Sequence, residues 1–230
     1  MNDNDEVSID VSAGIQYIRE HPEVTNVLLT GGDPLLMSTR RLVSIFEELH
    51  QIPHVKIIRI GTSASIQNDI RLGSHVMSEY GIGMDPMVHF YQMDMGALEL
   101  EVSQGLQKEI GLPYLPYCVR GSDELIELFR DKTILGNTVT CHGFYAPQGR
   151  SLRLPIRYPD LVDKLNYFHV GNFWLTNLEM ETAGYYALAK LLGHEMISMN
   201  AIIANRIRNK FSKDPNKVVD SLIRKVLETI

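Results

Sequence analysis

Apolar residues recur along this chain with two periods, one helical and one of strands, and the two alternate. Val11, Ile15 and Ile18 fall on one face behind Asp10, a side chain suited to an N-cap, and predict a short helix. NVLLT (26–30) reads as a buried strand and is followed by the turn Gly31-Gly32-Asp33-Pro34. Ser38 can cap the next helix, in which Leu42, Ile45, Phe46 and Leu49 recur at i, i+3, i+4 and i+7. HVKIIRI (54–60) is apolar and β-branched and runs into Gly61. Strand, helix and strand make one βαβ unit, with parallel strands and a right-handed crossover expected.

The remainder alternates in the same manner. Strands are predicted near 74–80, 114–120, 135–141, 172–178 and 196–204. Helices are predicted near 96–110, 122–131, 159–168, 181–193 and 215–229, the last opened by the cap-and-first-turn pair Asp214-Pro215. No repeat, low-complexity stretch or linker interrupts this order. Such alternation predicts an α/β layered fold around a largely buried, mixed sheet. Ligands of such sheets bind beyond the strand ends, where loops and helix N-termini gather.

Composition narrows the function classes. The 230 residues include 44% hydrophobic ones, enough for a sizeable core, and carry a formal net charge of −6. That balance, with no basic run, argues against nucleic acid as a partner. Cys118 and Cys141 are too few for a disulfide framework or a cysteine-rich metal site. The acidic start MNDNDEVSID is unlike a signal peptide, and no apolar run approaches the ~18 residues of a membrane span. The expectation is a cytoplasmic protein with no membrane partner.

Four segments carry candidate chemistry. Arg59-Ile60-Gly61-Thr62-Ser63-Ala64-Ser65-Ile66-Gln67 is a strand running into a turn of small residues. Gly143-Phe144-Tyr145-Ala146-Pro147-Gln148-Gly149-Arg150 is a loop, and Asn177-Leu178-Glu179-Met180-Glu181-Thr182-Ala183 is a strand end feeding a helix. Asn200-Ala201-Ile202-Ile203-Ala204-Asn205-Arg206 closes the set. Alone, each has a plainer reading: a surface ion pair for Arg59, an acidic first helical turn for Glu179-Met180-Glu181, core for Phe144, Met180, Ile202 and Ile203. Together, in this order and spacing, they resemble the uridine phosphorylases of the nucleoside phosphorylase family, over residues 57–230.

That resemblance implies a three-layer αβα sandwich with a mixed, mostly parallel sheet. It also implies phosphorolysis, in which a pyrimidine nucleoside and phosphate give free base and ribose 1-phosphate. No metal and no cofactor are implied beyond inorganic phosphate as co-substrate. By the family pattern Arg59 and Thr62 hold the phosphate and Ser63 lies beside it. Gln148 and Arg150 bind the uracil edge with Arg206 behind them, Phe144 stacks on the base, and Ile203 lines its pocket. Glu181 accepts hydrogen bonds from the ribose, Met180 packs on the sugar and Glu179 lies at the site. Arg59, Arg150 and Glu181 are the expected catalytic residues, because donors placed where charge develops stabilise the transition state above the ground state. His142, next to the base-binding segment, is read as non-catalytic. Ala64 departs from the family, which has Gly there, and its methyl group is expected to crowd the turn or to disfavour a backbone that Gly permits.

Residues 1–56 depart further. The family's Gly-Asp-Pro-x-Arg phosphate loop lies far upstream of its Arg-Ile-Gly-Thr strand. Here Gly32-Asp33-Pro34 lies close to Arg59, and Leu36 stands where the Arg belongs. The family's second phosphate-binding Arg and its N-terminal His, both reaching in from a neighbouring subunit, have no counterpart. Residues 11–61 resemble instead a piece of the lysine 2,3-aminomutase family, through Tyr17–Val24, Val27–Leu35 and Ile52–Gly61. That family's Gly-Gly-Asp stretch helps bind S-adenosylmethionine, but its C-x3-C-x2-C cluster motif is absent here, which excludes radical chemistry. The chain therefore reads as a chimera joined near Ile57–Thr62, its foreign βαβ unit (1–56) packed as part of the same sheet as the phosphorylase domain (57–230).

Three functions are weighed: phosphorolysis of uridine, impaired by loss of the upstream loop; a non-catalytic remnant that binds nucleosides; and a fragment related to S-adenosylmethionine-dependent aminomutases. The family builds dimers and rings of dimers, so a homo-oligomer is left open.

Overall fold

The computed structural model describes residues 11–30, 47–49, 51–52 and 55–230. The Gly31–Pro34 turn and most of the helix expected over 38–49 lie outside the described residues. The described elements follow the predicted order. They are α1 (Val11–Glu20), β1 (Asn26–Thr30), β2 (Lys56–Ser65), β3 (His75–Gly83), α2 (Ala97–Ile110), β4 (Tyr117–Arg120), α3 (Asp123–Phe129) and β5 (Ile134–Thr140). Then come α4 (Leu161–Tyr167), β6 (His169–Val170), β7 (Phe173–Glu179), α5 (Thr182–Leu192), β8 (Met196–Asn205), β9 (Lys210–Phe211) and α6 (Pro215–Leu227). Side chains start two of the helices, the second as the sequence suggests. Ser122 accepts from the Leu125 amide at α3, and Asp214 accepts from the Lys217 amide at α6, with Pro215 in the first turn.

The nine described strands form one mixed sheet whose longest registers are parallel, β2 with β8 and β3 with β5. Helices cover it through two separate cores. Side chains of α1, α3, α5 and α6 join one cluster, and those of α2 and α4 join the other. This is the mixed α/β architecture expected. The sheet also closes on itself, which the sequence pattern does not announce. β2 pairs with β8 along its length and then, past a register shift at Ser63/Ala64, meets β7 through Ala64–Leu178 and Ser65–Asn177. β7 pairs with β5, β5 with β3, and β3 with β8, so five strands form a ring. A bulge bends its strand and sharpens the twist, which lets the end of β2 meet β7 while it stays paired with β8.

A belt of buried polar side chains follows this ring. Ser63 accepts from Asn177 at 2.9 Å, Asn177 accepts from Thr138 at 3.1 Å, and Thr138 pairs with Ser78 at 2.6 Å. Ser78 accepts from Asn200 at 2.9 Å, and Asn200 accepts from Arg59 at 3.0 Å, back on β2. Burying these groups is tolerable because each finds a partner on the next strand.

The segment before residue 57 shares one core with the rest of the chain. β1 pairs in parallel with β2 from Asn26–Lys56 to Thr30–Ile60, and Ile15, Leu49, Ile52 and Val55 belong to the same buried cluster as Ile57 and Ile197. Among the described residues no helix is long and apolar enough to cross a membrane.

Candidate functional site

The site begins with Arg59, which is 7% exposed in the middle of β2. A buried guanidinium needs compensating charge, and two carboxylates supply it. Its Nη2 lies 2.5 Å from Glu181 and 3.3 Å from Glu179, while its Nη1 donates to Asn200 at 3.0 Å, Ser198 at 3.2 Å and Thr182 at 3.4 Å. Register explains the meeting. Arg59 pairs with Ser198 and Gly61 with Asn200 across β2 and β8, so the alternation of the two strands brings these side chains to one face. Glu179 ends β7 and caps α5, accepting from the Glu181 amide at 3.0 Å and the Thr182 amide at 2.9 Å. It also accepts from the Thr140 hydroxyl at 2.7 Å. An anion at a helix N-terminus is favoured by the orphan amides and the helix dipole. α5 can sit this close because Gly81 lets it: a β-carbon there would stand 2.9 Å from the Ala183 backbone.

A second cluster gathers around Gln148, which is buried in a short 3-10 turn (Ala146–Gln148). Arg150 donates to the Gln148 side chain at 2.5 Å and to the Phe144 carbonyl at 2.6 Å, and its guanidinium lies 3.9 Å from the centre of the Phe144 ring. Arg206, which follows β8, donates to the Gln148 carbonyl at 3.0 Å. Burial, reinforced by Arg206, holds the Arg150 pKa below its usual value, and burial does the same to Arg206. Both guanidiniums are thus partly desolvated, which an anionic partner would offset.

Cys141 joins the two clusters. Its amide donates to the Glu179 carbonyl at 2.9 Å, and its thiol, pushed up to about 12 by burial and by Glu179, also senses Arg206 and Arg150. Next along the chain, His142 pairs through Nε2 with Asp85 at 2.9 Å. Among the described residues no group of three His, Cys, Asp or Glu side chains is arranged to hold a metal.

Of the residues singled out in the sequence, Arg59, Glu179 and Glu181 converge in one cluster, and Phe144, Gln148, Arg150 and Arg206 in the other. Ser63 does not join the Arg59 cluster, because its hydroxyl is committed to Asn177 in the polar belt. Thr62 is exposed, on the opposite side of the β2 alternation from Arg59. Phe144 is 52% exposed, with the Arg150 guanidinium and the edge of Tyr145 against its ring. Met180 is half-buried, and Ile203 packs against the larger core. Ala64 lies within β2 beside the register shift, and Asn209 alone among the described non-glycine residues has positive φ. The residue at 64 therefore needs no backbone freedom special to glycine. Thr140, Ser198 and Asp85 were not singled out. For Ser198 a signal existed: Ser198 and Asn200 interrupt the apolar strand MISMNAIIAN at a spacing of two, the mark of a buried polar face.

Comparison with known proteins gives two kinds of match. The sequence model of the phosphorylase superfamily matches residues 17–228. The fold resembles the crystal structure of a Trypanosoma brucei nucleoside phosphorylase described as showing uridine phosphorylase activity (TM-score 0.69, 22% identity, 76% of this chain and 63% of that one). It also resembles isoform 2 of uridine phosphorylase from Schistosoma mansoni (TM-score 0.53, 19% identity, 81% of this chain and 64% of that one). At these identities the likeness is one of fold, and the chain spans a little under two thirds of each structure. Curated relatives give the second kind of match. An Aquifex aeolicus protein is 57% identical over 72 residues, 31% of this chain and 19% of the relative. The L-lysine 2,3-aminomutase of Bacillus subtilis is 44% identical over 66 residues, 29% of this chain and 14% of the relative. The chain thus spans under a fifth of the length of these relatives. Two resemblances meet in one chain, and they overlap, since the superfamily match leaves only residues 1–16 and 229–230 outside it.

Proposed function

This chain belongs to the phosphorylase superfamily, and from that premise we propose that it catalyses phosphorolysis of a pyrimidine nucleoside, uridine in the first instance. One observation carries the reading. A buried guanidinium is paired with carboxylates (Arg59 with Glu179 and Glu181), the buried Gln148 is held by two guanidiniums (Arg150 on its side chain, Arg206 on its carbonyl), and the charges of Glu179, Arg150 and Arg206 all act on Cys141.

In this proposal Arg59 exchanges part of its carboxylate pairing for a phosphate oxygen. Glu181 turns to the ribose hydroxyls while Met180 packs on the sugar. Gln148 offers a donor and an acceptor to the uracil edge, Phe144 covers its face, and Ile203 borders the pocket. As the glycosidic bond lengthens, C1′ gains positive character near the carboxylates. The base gains negative charge near Arg150 and Arg206, so both ends of the breaking bond meet complementary charge. Incubating the purified protein with uridine should release uracil when phosphate is present and not when it is withheld. Absence of phosphate-dependent release at high protein concentration would refute the proposal.

A second reading, a non-catalytic nucleoside binder, draws on the saturation of Arg59. Five partners already engage this guanidinium, and Leu36 stands where the family has a phosphate-binding Arg. On that reading uridine binds without turnover, and calorimetry with uridine in the same preparation separates the two.

A further inference from the structure

Read from sequence alone, His142 is non-catalytic; its surroundings argue otherwise. It stands at the end of β5, one residue past Cys141 and immediately before the Gly143–Arg150 segment that holds Phe144, Gln148 and Arg150. Its Nε2 faces Asp85 Oδ2 at 2.9 Å. Asp85 is fixed in turn by its other oxygen, which accepts from the Met87 amide at 2.7 Å. The remaining nitrogen, His142 Nδ1, is buried and has no hydrogen-bond partner among the described residues. Burying a polar nitrogen without a partner is costly, and such an atom beside a ligand site is accounted for when the ligand supplies the partner.

We propose that His142 is the general acid of this site, its Nδ1–H protonating the departing pyrimidine while Asp85 holds the ring. The assignment rests on the phosphorolysis reading above. A base is the natural acceptor because His142 leads directly into the base-binding segment, whereas Glu179 and Glu181 are already matched by Arg59. The surrounding charges favour the protonated imidazole. The close pairing with Asp85 raises its pKa most, burial opposes this, and the charges of Glu179 and Glu181 add to the rise. The hydroxyl of nearby Tyr117 is neutral, its pKa raised by burial and by Asp85, and the buried Cys141 thiol is neutral as well.

The step balances. The C1′–N1 bond breaks with its electron pair passing to the base, a phosphate oxygen bonds to C1′, and the Nδ1 proton passes to the base. The phosphate sheds a proton to solvent on becoming the sugar monoester, and the neutral imidazole takes one back. A positioned general acid contributes about 10²- to 10⁴-fold, most where the leaving group is poor.

The test compares uridine with 5-fluorouridine, whose base leaves more readily as an anion, in the full chain and in His142→Asn and Asp85→Asn. Calorimetry with uracil runs alongside. His142→Asn is expected to lose about 10²-fold in kcat on uridine and distinctly less on 5-fluorouridine, with KM little changed. Asp85→Asn should lower the pH at which kcat falls off. A His142→Asn rate within about twofold of the parent on uridine, or an equal loss on both substrates, overturns the proposal. If the parent protein releases no uracil with phosphate, the phosphorolysis reading fails and the calorimetry decides this one. Uracil binding that weakens as pH rises in the parent but not in His142→Asn supports His142 as the donor to the base. Binding independent of pH in both overturns it.

Discussion

The guanidinium of Arg59 lies over Gly61, in the space a side chain at 61 would fill: a β-carbon built there stands 2.3 Å from Arg59 Cζ. Both residues sit on one face of β2, and the missing side chain of one is the berth of the other. This is why a glycine belongs in the middle of an otherwise apolar, β-branched strand, where it weakens the strand itself.

Gly61→Ala should therefore act through Arg59. The methyl group must push the guanidinium off Glu179 and Glu181, and overpacking of this kind typically costs about 1–3 kcal/mol. Urea unfolding should show a lowered midpoint, and nucleoside turnover should fall with it. An unchanged midpoint would mean that Arg59 has another berth.

Removing Arg59 is expected to be worse than removing either partner. Arg59→Ala leaves Glu179 and Glu181 facing each other in a buried site, a change of about 3–5 kcal/mol for groups of this kind. Glu181→Gln leaves Arg59 paired with Glu179, so its effect on urea unfolding should be smaller, about 1–3 kcal/mol. Equal effects would argue that the three residues are less coupled than their distances imply.

Two histidines should pull the pH dependence of stability in opposite directions. His142 has its pKa raised, by its pairing with Asp85 above all, with Glu179 and Glu181 adding their charge. Its contribution is full below the ordinary value of about 6.5 and is lost as pH rises through the raised value. His75, whose Nε2 lies 3.3 Å from the Val218 carbonyl, has its pKa lowered by burial and by Lys225. Its contribution is present above about 6.5 and lost as pH falls through the lowered value. Thermal unfolding across this range should show the parent's advantage over His142→Asn shrinking with rising pH, and its advantage over His75→Asn growing.

Both cysteines should resist thiol reagents until the chain unfolds. Cys118 and Cys141 are buried and free, burial pushes both thiols up, and Cys141 reaches about 12. Reaction needs the thiolate and access to it. A chromogenic disulfide at mildly alkaline pH should therefore titrate no thiol in the native protein and two after denaturation. Fast labelling of Cys141 in the native state would show that the strand-end site opens readily.

Much of the fold was legible because each element carries its own period and punctuation. NVLLT is an apolar run between turn residues, Asp214-Pro215 opens α6, and Ser198 with Asn200 marks a polar face within β8. The Gln148–Arg150–Arg206 grouping was legible only through resemblance, since Arg206 is remote in sequence from the loop whose carbonyl it meets. The misplaced expectations lie on β2. Ser63 is taken up by the polar belt through Asn177, and Thr62 falls on the other side of the strand from Arg59.

What the sequence determined by itself is local: the elements and their order, and the residue types on which the proposed phosphorolysis draws. Tertiary structure decided the rest, because partners of buried polar groups are chosen by register between strands remote in sequence. Only when β2 pairs with β8 and its end also meets β7 does Arg59 meet Glu179, Glu181, Ser198 and Asn200. The same closure brings β5 alongside β7, so that His142 leaves the strand end within reach of that charge. No period in the sequence encodes that meeting, since hydrophobic spacing says which face of a strand is buried and not which strand lies against it.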